Sequence, residues 1–423
     1  MKKIINYLMV FNFFTGAFVL SSGFFEFYVN YIFMAIFMCV YVLFYHKISI
    51  SRSFVYVLTI AVFFSFLNVL WGKDTMPLML KVTAGFILNG VAYYLLIRMN
   101  NYNVNELFRI YMRIACIIAF IGIFQELSFL ADFKYGYDFR FFIPKVMKSG
   151  VEFGLLRVTS ILPEPAHFGA VMMPATFISI LNILKWKNNF ISRKASFMII
   201  ISTILTFSLV AYAGIVAAVF LLMFNYKQSK LIVASTIILV VFSCSVYKCA
   251  PTLTSKVDDT IAVILGKKPL HHANLSTFAV CSNAFIAYKS FMRNPLFGSG
   301  LGSHPVSYDR YIDEAKAGSK IHINRKDASS LFSRLVSEMG LFGIGLFFYF
   351  SIKFYVSKKK DDHFWMISNA ILCLFIVNLL RQGNYFYSGF IFFVWAYYFT
   401  YRCREFHVPD LKNSTIGNDN TEH

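Results

Sequence analysis

Apolar stretches of about twenty residues recur from Ile4 to Tyr401, and this repetition restricts what the chain can fold into more than any single motif. A bilayer core roughly 30 Å thick is crossed by about 20 residues of helix. The runs are continuous and lack the alternation of the roughly 10-residue strands of a membrane barrel, so their backbone polar groups must be satisfied inside helices. Of the 423 residues 58% are hydrophobic and 14% charged, too apolar a mixture for a soluble surface. The expected fold is an all-α polytopic integral membrane protein.

Spans are placed at residues 4–22, 24–45, 54–71, 76–97, 107–130, 166–184, 196–209, 211–226, 230–249, 330–356, 363–380 and 385–402, about twelve transmembrane helices in one domain over residues 1–402. The run from Ala195 to Tyr226 is read as two short helices or a re-entrant hairpin turning near Ala211 to Gly214. Charge decides this. Lys185, Lys187, Arg193 and Lys194 precede the run, and Lys227, Lys230 and Lys358 to Lys360 follow it. Two short spans keep all of these on the cytoplasmic side, where short-loop lysine and arginine concentrate. The same bias accounts for the formal net charge of +19 without a nucleic-acid partner.

With both termini inside, residues 131–165 and 250–329 become long extracytoplasmic loops, and loops of that length usually carry function. Residues 403–423 form a polar cytoplasmic tail expected to be disordered. Lys2 and Lys3 before an apolar run resemble a signal peptide without its cleavage site, so a retained first helix is expected. The seven cysteines show no CxxC pair and read as buried small hydrophobes, with Cys249 and Cys281 the pair able to meet outside.

The first loop ends in RVTSILPEPAHFG, residues 157–169. Glu164 between two prolines reads either as a helix cap or as a polar site at the membrane surface. His167, three residues on, falls on the same helical face and could form with it a hydrogen-bonded pair that accepts a proton. The second loop holds Arg293, glycines at 298, 300 and 302, and His304. This series lacks the ending of a nucleotide-binding P-loop; a tight turn and a backbone cradle for pyrophosphate both remain open. His304 is a general-base candidate by its ordinary pKa. Asp327 is placed as the cap of span ten, and Arg334 and Glu338 stand one helical turn apart. An arginine inside an apolar span usually faces the bundle interior, and Arg381 at the end of span eleven invites the same inference. Four outward arginines, Arg157, Arg293, Arg334 and Arg381, call for an anion, and paired guanidinium bonds suit phosphate.

RVTSILPEPAHFG, NPLFGSGLGSHPVSYDRYI with KDASSLFSRLVSEMGLFG, and LLRQGNYFYSG together resemble the Wzy-type O-antigen polymerases, relatives of the O-antigen ligases. The resemblance covers about residues 157–390. It implies a GT-C-like helical fold and a metal-independent glycosyltransferase that needs no cofactor. The implied reaction polymerises undecaprenyl-diphosphate-linked oligosaccharide repeat units on the periplasmic side of the bacterial inner membrane, where a chain-length regulator is a further implied partner. By the resemblance Arg157, Arg334 and Arg381 hold the diphosphate, Arg293 assists, and His304 or Glu164 accepts the hydroxyl proton. Ligase relatives carry a His-Asn pair where this chain has Ser329 and Ser330, which favours a polymerase and leaves the base open among His304, His322, Asp327, Glu164 and His167. The competing readings are a lipid-linked oligosaccharide flippase or transporter, and an O-antigen ligase.

Overall fold

The computed structural model describes residues 1–22, 26–45, 48, 50–184, 190–226, 251–315, 323–358 and 364–413. Its helices are α1 (Lys2–Phe11), α2 (Val29–Tyr45), α3 (Arg52–Leu70), α4 (Met76–Met99), α5 (Val104–Leu130), α6 (Lys134–Tyr137), α7 (Pro165–Ile183), α8 (Arg193–Ile204), α9 (Leu209–Tyr226), α10 (Pro251–Ile264), α11 (Leu275–Arg293), α12 (His304–Tyr311), α13 (Leu331–Lys353), α14 (Phe364–Leu380) and α15 (Phe390–Asn413). Two short antiparallel strand pairs, β1 (Val19–Ser22) with β2 (Glu26–Tyr28) and β3 (Val151–Glu152) with β4 (Leu155–Leu156), and short 3-10 turns lie between the helices. Among the described residues six helices, α3, α4, α5, α7, α9 and α13, are long and apolar enough to cross a membrane, with α2 and α14 shorter but equally apolar. The chain is an all-α membrane protein.

At the centre, α7 packs against α8, α9 and α14. Small residues allow this closeness: a Cβ on Gly169 would lie 2.7 Å from the Ala211 Cβ, and one on Gly214 2.1 Å from Met173 Sδ. Ala211 and Gly214 are therefore helix-crossing contacts and not the expected turn. The run from Ala195 to Tyr226 is indeed two helices, but it turns earlier, between Ile204 and Leu209, where Phe207 adopts a positive φ of 42°.

The expected first span, residues 4–22, is not one helix. The chain leaves α1 through a 3-10 turn at Asn12–Phe14, where Thr15 Oγ1 donates to Asn12 O at 2.8 Å, and then enters β1. Ser330, and not Asp327, caps α13: its Oγ accepts from Ser333 N, while Asp327 Oδ1 accepts from Ser329 N. The helix α15 continues to Asn413, past the point where a disordered tail was expected. Among the described cysteines Cys373 is buried and Cys39 exposed, so burial does not hold for all of them. The expected span 230–249, Cys249 and His322 lie outside the described residues.

One helix is broken by design of its backbone. At Gly340 (φ 59°, ψ −145°) α13 loses its regular pattern, and the loop 295–300 takes over the bonding. Leu341 N and Phe342 N donate to Pro295 O and Leu296 O at 2.8 and 2.9 Å, while Ser299 N and Gly300 N donate to Ser337 O and Glu338 O at 3.0 and 2.9 Å. These are the donors and acceptors that an unbroken helix would have joined to each other. The groups that the break opens at Ser337, Glu338, Leu341 and Phe342 are thus paired again, as an apolar surrounding demands. The exchange needs glycine on both sides: a Cβ on Gly298 would stand 2.4 Å from the Glu338 carbonyl carbon, and one on Gly340 2.5 Å from Pro295 O. Gly340→Ala should lose at least the roughly 1–2 kcal/mol of a left-handed residue, with backbone displacement added. The expected readout is a fall in folded protein recovered in detergent, with no comparable fall for alanine at Gly345, where a Cβ meets nothing within 4 Å.

Candidate anion-binding site

The turns at 71–75, 131–164 and 381–389 and the segments 251–315 and 323–330 lie at one end of the helix assembly. There α5 fixes the strip that carries Arg157. Glu126 Oε2 accepts from Leu156 N at 3.0 Å, and Gln125 Oε1 accepts from Thr159 N and Ser160 N at 3.0 and 2.9 Å. Arg157 N and Val158 N donate to Gly150 O and Leu205 O at 2.9 and 3.0 Å. With its backbone held from three sides, Arg157 is half-buried, yet its Nε finds no hydrogen-bond partner among the described residues. Burial lowers the pKa of this guanidinium, opposed by the fields of Glu152, Tyr212 and Glu164.

Glu164 occupies the N-cap position of α7 with extended backbone (φ −145°, ψ 157°), but its side chain makes no capping bond. Pro165 at the first helical position leaves one fewer donor to cap. His167 follows on the first turn of α7. The expected hydrogen-bonded pair does not form: His167 Nδ1 is buried with no partner, and the ring instead meets Tyr387 edge-on at 5.2 Å. Glu164 and His167 remain electrostatically coupled, together with Asp327, Arg381 and Lys145.

Arg381 follows α14, and its Nη1 is likewise buried without a partner among the described residues. A further cation joins it that the sequence did not single out. Lys256, on α10, lies in the fields of Arg157, Arg381 and Glu152; its pKa is lowered by burial first and by Arg157 next. Among the described residues none of Arg157, Lys256 and Arg381 has an ion-pair partner. Arg334 differs. Its Nε donates to Glu338 Oε1 at 3.0 Å and its Nη1 to Gly383 O at 3.0 Å, and the guanidinium lies 4.4 Å from the Tyr385 ring centroid. Tyr385 in turn donates its hydroxyl to Glu338 Oε2 at 3.0 Å. Arg334 is a neutralised strut beside the cluster.

The second loop is built otherwise than a phosphate cradle. Gly298, Gly300 and Gly302 have positive φ, and their missing side chains admit α13, the side chain of Asp74 and the carbonyl of Leu78. His304 opens α12 fully buried, with Nε2 2.8 Å from Asn283 Oδ1 and Nδ1 2.9 Å from Ser337 Oγ. Asn283 Nδ2 already donates to Ala279 O, so Oδ1 accepts from His304 Nε2–H and Nδ1 takes the Ser337 hydroxyl. Burial, then Arg334, brings the His304 pKa down to about 3, so it stays neutral. As placed it ties α11, α12 and α13 together and presents no free nitrogen to a substrate. Arg293 stands exposed at the end of α11, in the field of Lys73.

Asp74 is 5% exposed with Oδ2 unpartnered, and burial pushes its pKa up to about 7. A raised carboxyl pKa stabilises the fold below the unfolded value of 3.8 and loses that contribution as pH rises through about 7. Asp74→Asn should therefore unfold at nearly the wild-type temperature at about pH 4 and several degrees higher at about pH 8. A thermal melt in detergent at both pH values reads it.

Among the described residues the arrangement gathers unpaired cations, with buried donor atoms that find no acceptor, beside a half-buried carboxylate. It can hold a polyanionic group and accept a proton next to it. Among the described residues no three His, Cys, Asp or Glu side chains could hold a metal ion. The fold and this cluster define a helical membrane protein with a group of unpaired cations, among the described residues, at one end. No protein-family model matches the chain, and no curated protein matches it.

Proposed function

We propose that the protein is a polysaccharide polymerase that joins undecaprenyl-diphosphate-linked oligosaccharide repeat units at the periplasmic face of a bacterial inner membrane, with both termini cytoplasmic. The observation that carries this reading is the pair of buried, unpartnered guanidinium atoms, Arg157 Nε and Arg381 Nη1, with Lys256 in the same field. A diphosphate supplies the missing acceptors and countercharge, and its polyprenyl tail suits a site at the ends of apolar helices. The resemblance of the RVTSILPEPAHFG, glycine-loop and LLRQGNYFYSG segments to Wzy-type polymerases points to the same substrate class.

In the reaction the hydroxyl oxygen of one saccharide bonds to the anomeric carbon of the other, whose bond to the carrier diphosphate oxygen breaks. Glu164, uncommitted to capping, takes the hydroxyl proton and is thereby neutralised, with His167 on the next turn within its field. The leaving diphosphate keeps the bonding electron pair, and Arg157, Lys256 and Arg381 stabilise it as its charge develops. His304 supports the site as an interior tie, and Arg334 holds the 381–385 turn through Gly383. Release of one undecaprenyl diphosphate per new linkage, without added nucleotide or divalent metal, is the expected result with purified protein. Exchange of intact lipid-linked oligosaccharide across liposomes, with no diphosphate released, would make it a flippase.

A further inference from the structure

A second group of cations stands at the same end of the assembly. Lys73 lies in the turn between α3 and α4, Arg293 ends α11, and Arg310 lies in α12. Contacts draw the three together: Lys73 Nζ donates to Asn294 Oδ1 at 2.6 Å, and Arg310 Nη2 donates to Gly72 O at 3.2 Å. Among the described residues none of the three forms an ion pair. Asp309 pairs with Arg325 and Glu314 with Lys289, while Asp74, next to Lys73, turns its Oδ1 to Thr75 N at 2.7 Å and is kept from ionising by burial. The Lys73 ammonium is held below its ordinary pKa by burial, then by the like charges of Arg293 and Arg310.

The surroundings are those of a bilayer interface. Trp71, 4.9 Å from Lys73 Nζ, is 65% exposed, and Leu70, Met292 and Leu296 are exposed as well. Tryptophan beside lysine with open apolar neighbours suits an amphiphile whose headgroup is anionic and whose tail runs along the helices. Between the two cationic groups stands the Arg334–Glu338–Tyr385 unit: Glu338 bears on Asp74, and Arg334 contacts the turn that carries Arg381.

We propose that Lys73, Arg293 and Arg310 form a second anion site, which holds the diphosphate of the second carrier-linked saccharide while the first occupies Arg157, Lys256 and Arg381. The inference rests on the polymerase reading, in which two carrier-linked chains must be present at once. Two diphosphates in one cluster would repel each other; two clusters separated by a neutral pair accommodate both. The second site also abuts Asn294, the start of the loop whose backbone completes α13, so it is fixed to the helix that bears Arg334.

Native mass spectrometry of the full-length protein with undecaprenyl diphosphate tests this. The expected wild-type stoichiometry is two equivalents. Arg293→Gln with Arg310→Gln should lose one, Lys73→Gln should weaken the same one, and Arg157→Gln with Arg381→Gln should lose the other. A single equivalent on the wild type, or loss of both in the Arg293/Arg310 variant, overturns the second site. So does displacement of that equivalent by an equal concentration of phosphatidylglycerol, which would mark ordinary headgroup attraction. The same preparation is assayed for polymer: product made by a protein that binds one equivalent refutes the second site and leaves the polymerase reading standing.

Discussion

Arg157→Ala and Arg381→Ala should each lower polymer formation by about 10²–10³-fold, the scale on which removing one preorganised donor to a developing anion acts. Both side chains hold buried N–H groups that no atom of the described residues accepts, so their removal costs the fold little. Folded protein recovered from the membrane should stay near wild type. Lysine at either position should restore part of the activity, since it returns the charge but not the planar fork of donors. Equal loss of protein and polymer would assign the arginines to folding instead.

Glu338→Ala should act in the opposite way, through stability. Glu338 is 1% exposed and accepts from both Arg334 Nε and the Tyr385 hydroxyl. Its truncation strands a buried guanidinium, a change that typically costs about 3–5 kcal/mol. The expected result is a large drop in unfolding temperature and in the amount of protein inserted. Replacing both partners, Arg334→Met with Glu338→Leu, should recover much of that stability, because the pair's net contribution is small once both charges are gone. Polymer should not recover, since Arg334 also holds the 381–385 turn through Gly383 O. A double variant with full activity would show that this strut does nothing for the site.

The membrane class was legible because continuous apolar runs have one structural solution, and the division of Ala195–Tyr226 followed from charge alone. The turn within that run was misplaced because Ala211 and Gly214 are small for a reason that local sequence does not reveal: α7 crosses there. The break after α1 lies at Asn12 and Thr15, polar residues that a hydropathy window averages away. Within the site, Arg334 and Glu338 were readable from their four-residue spacing. The glycine series was readable as unusual backbone, but its partner, the interrupted hydrogen bonding of α13, lies some forty residues away. Lys256 carried no signal, being a single lysine on a mixed helix whose importance comes from Arg157 and Arg381 brought beside it. His304 was legible as a chemically able residue; its enclosure by Asn283 and Ser337 was not.

The most direct test of the central claim is to incubate purified protein with synthetic undecaprenyl-diphosphate repeat units, without nucleotide or added metal, and to resolve the products on a gel. A ladder at multiples of the repeat unit, lost in Arg157→Ala and Arg381→Ala, is the predicted result. Intact starting material after incubation with folded wild-type protein would contradict it.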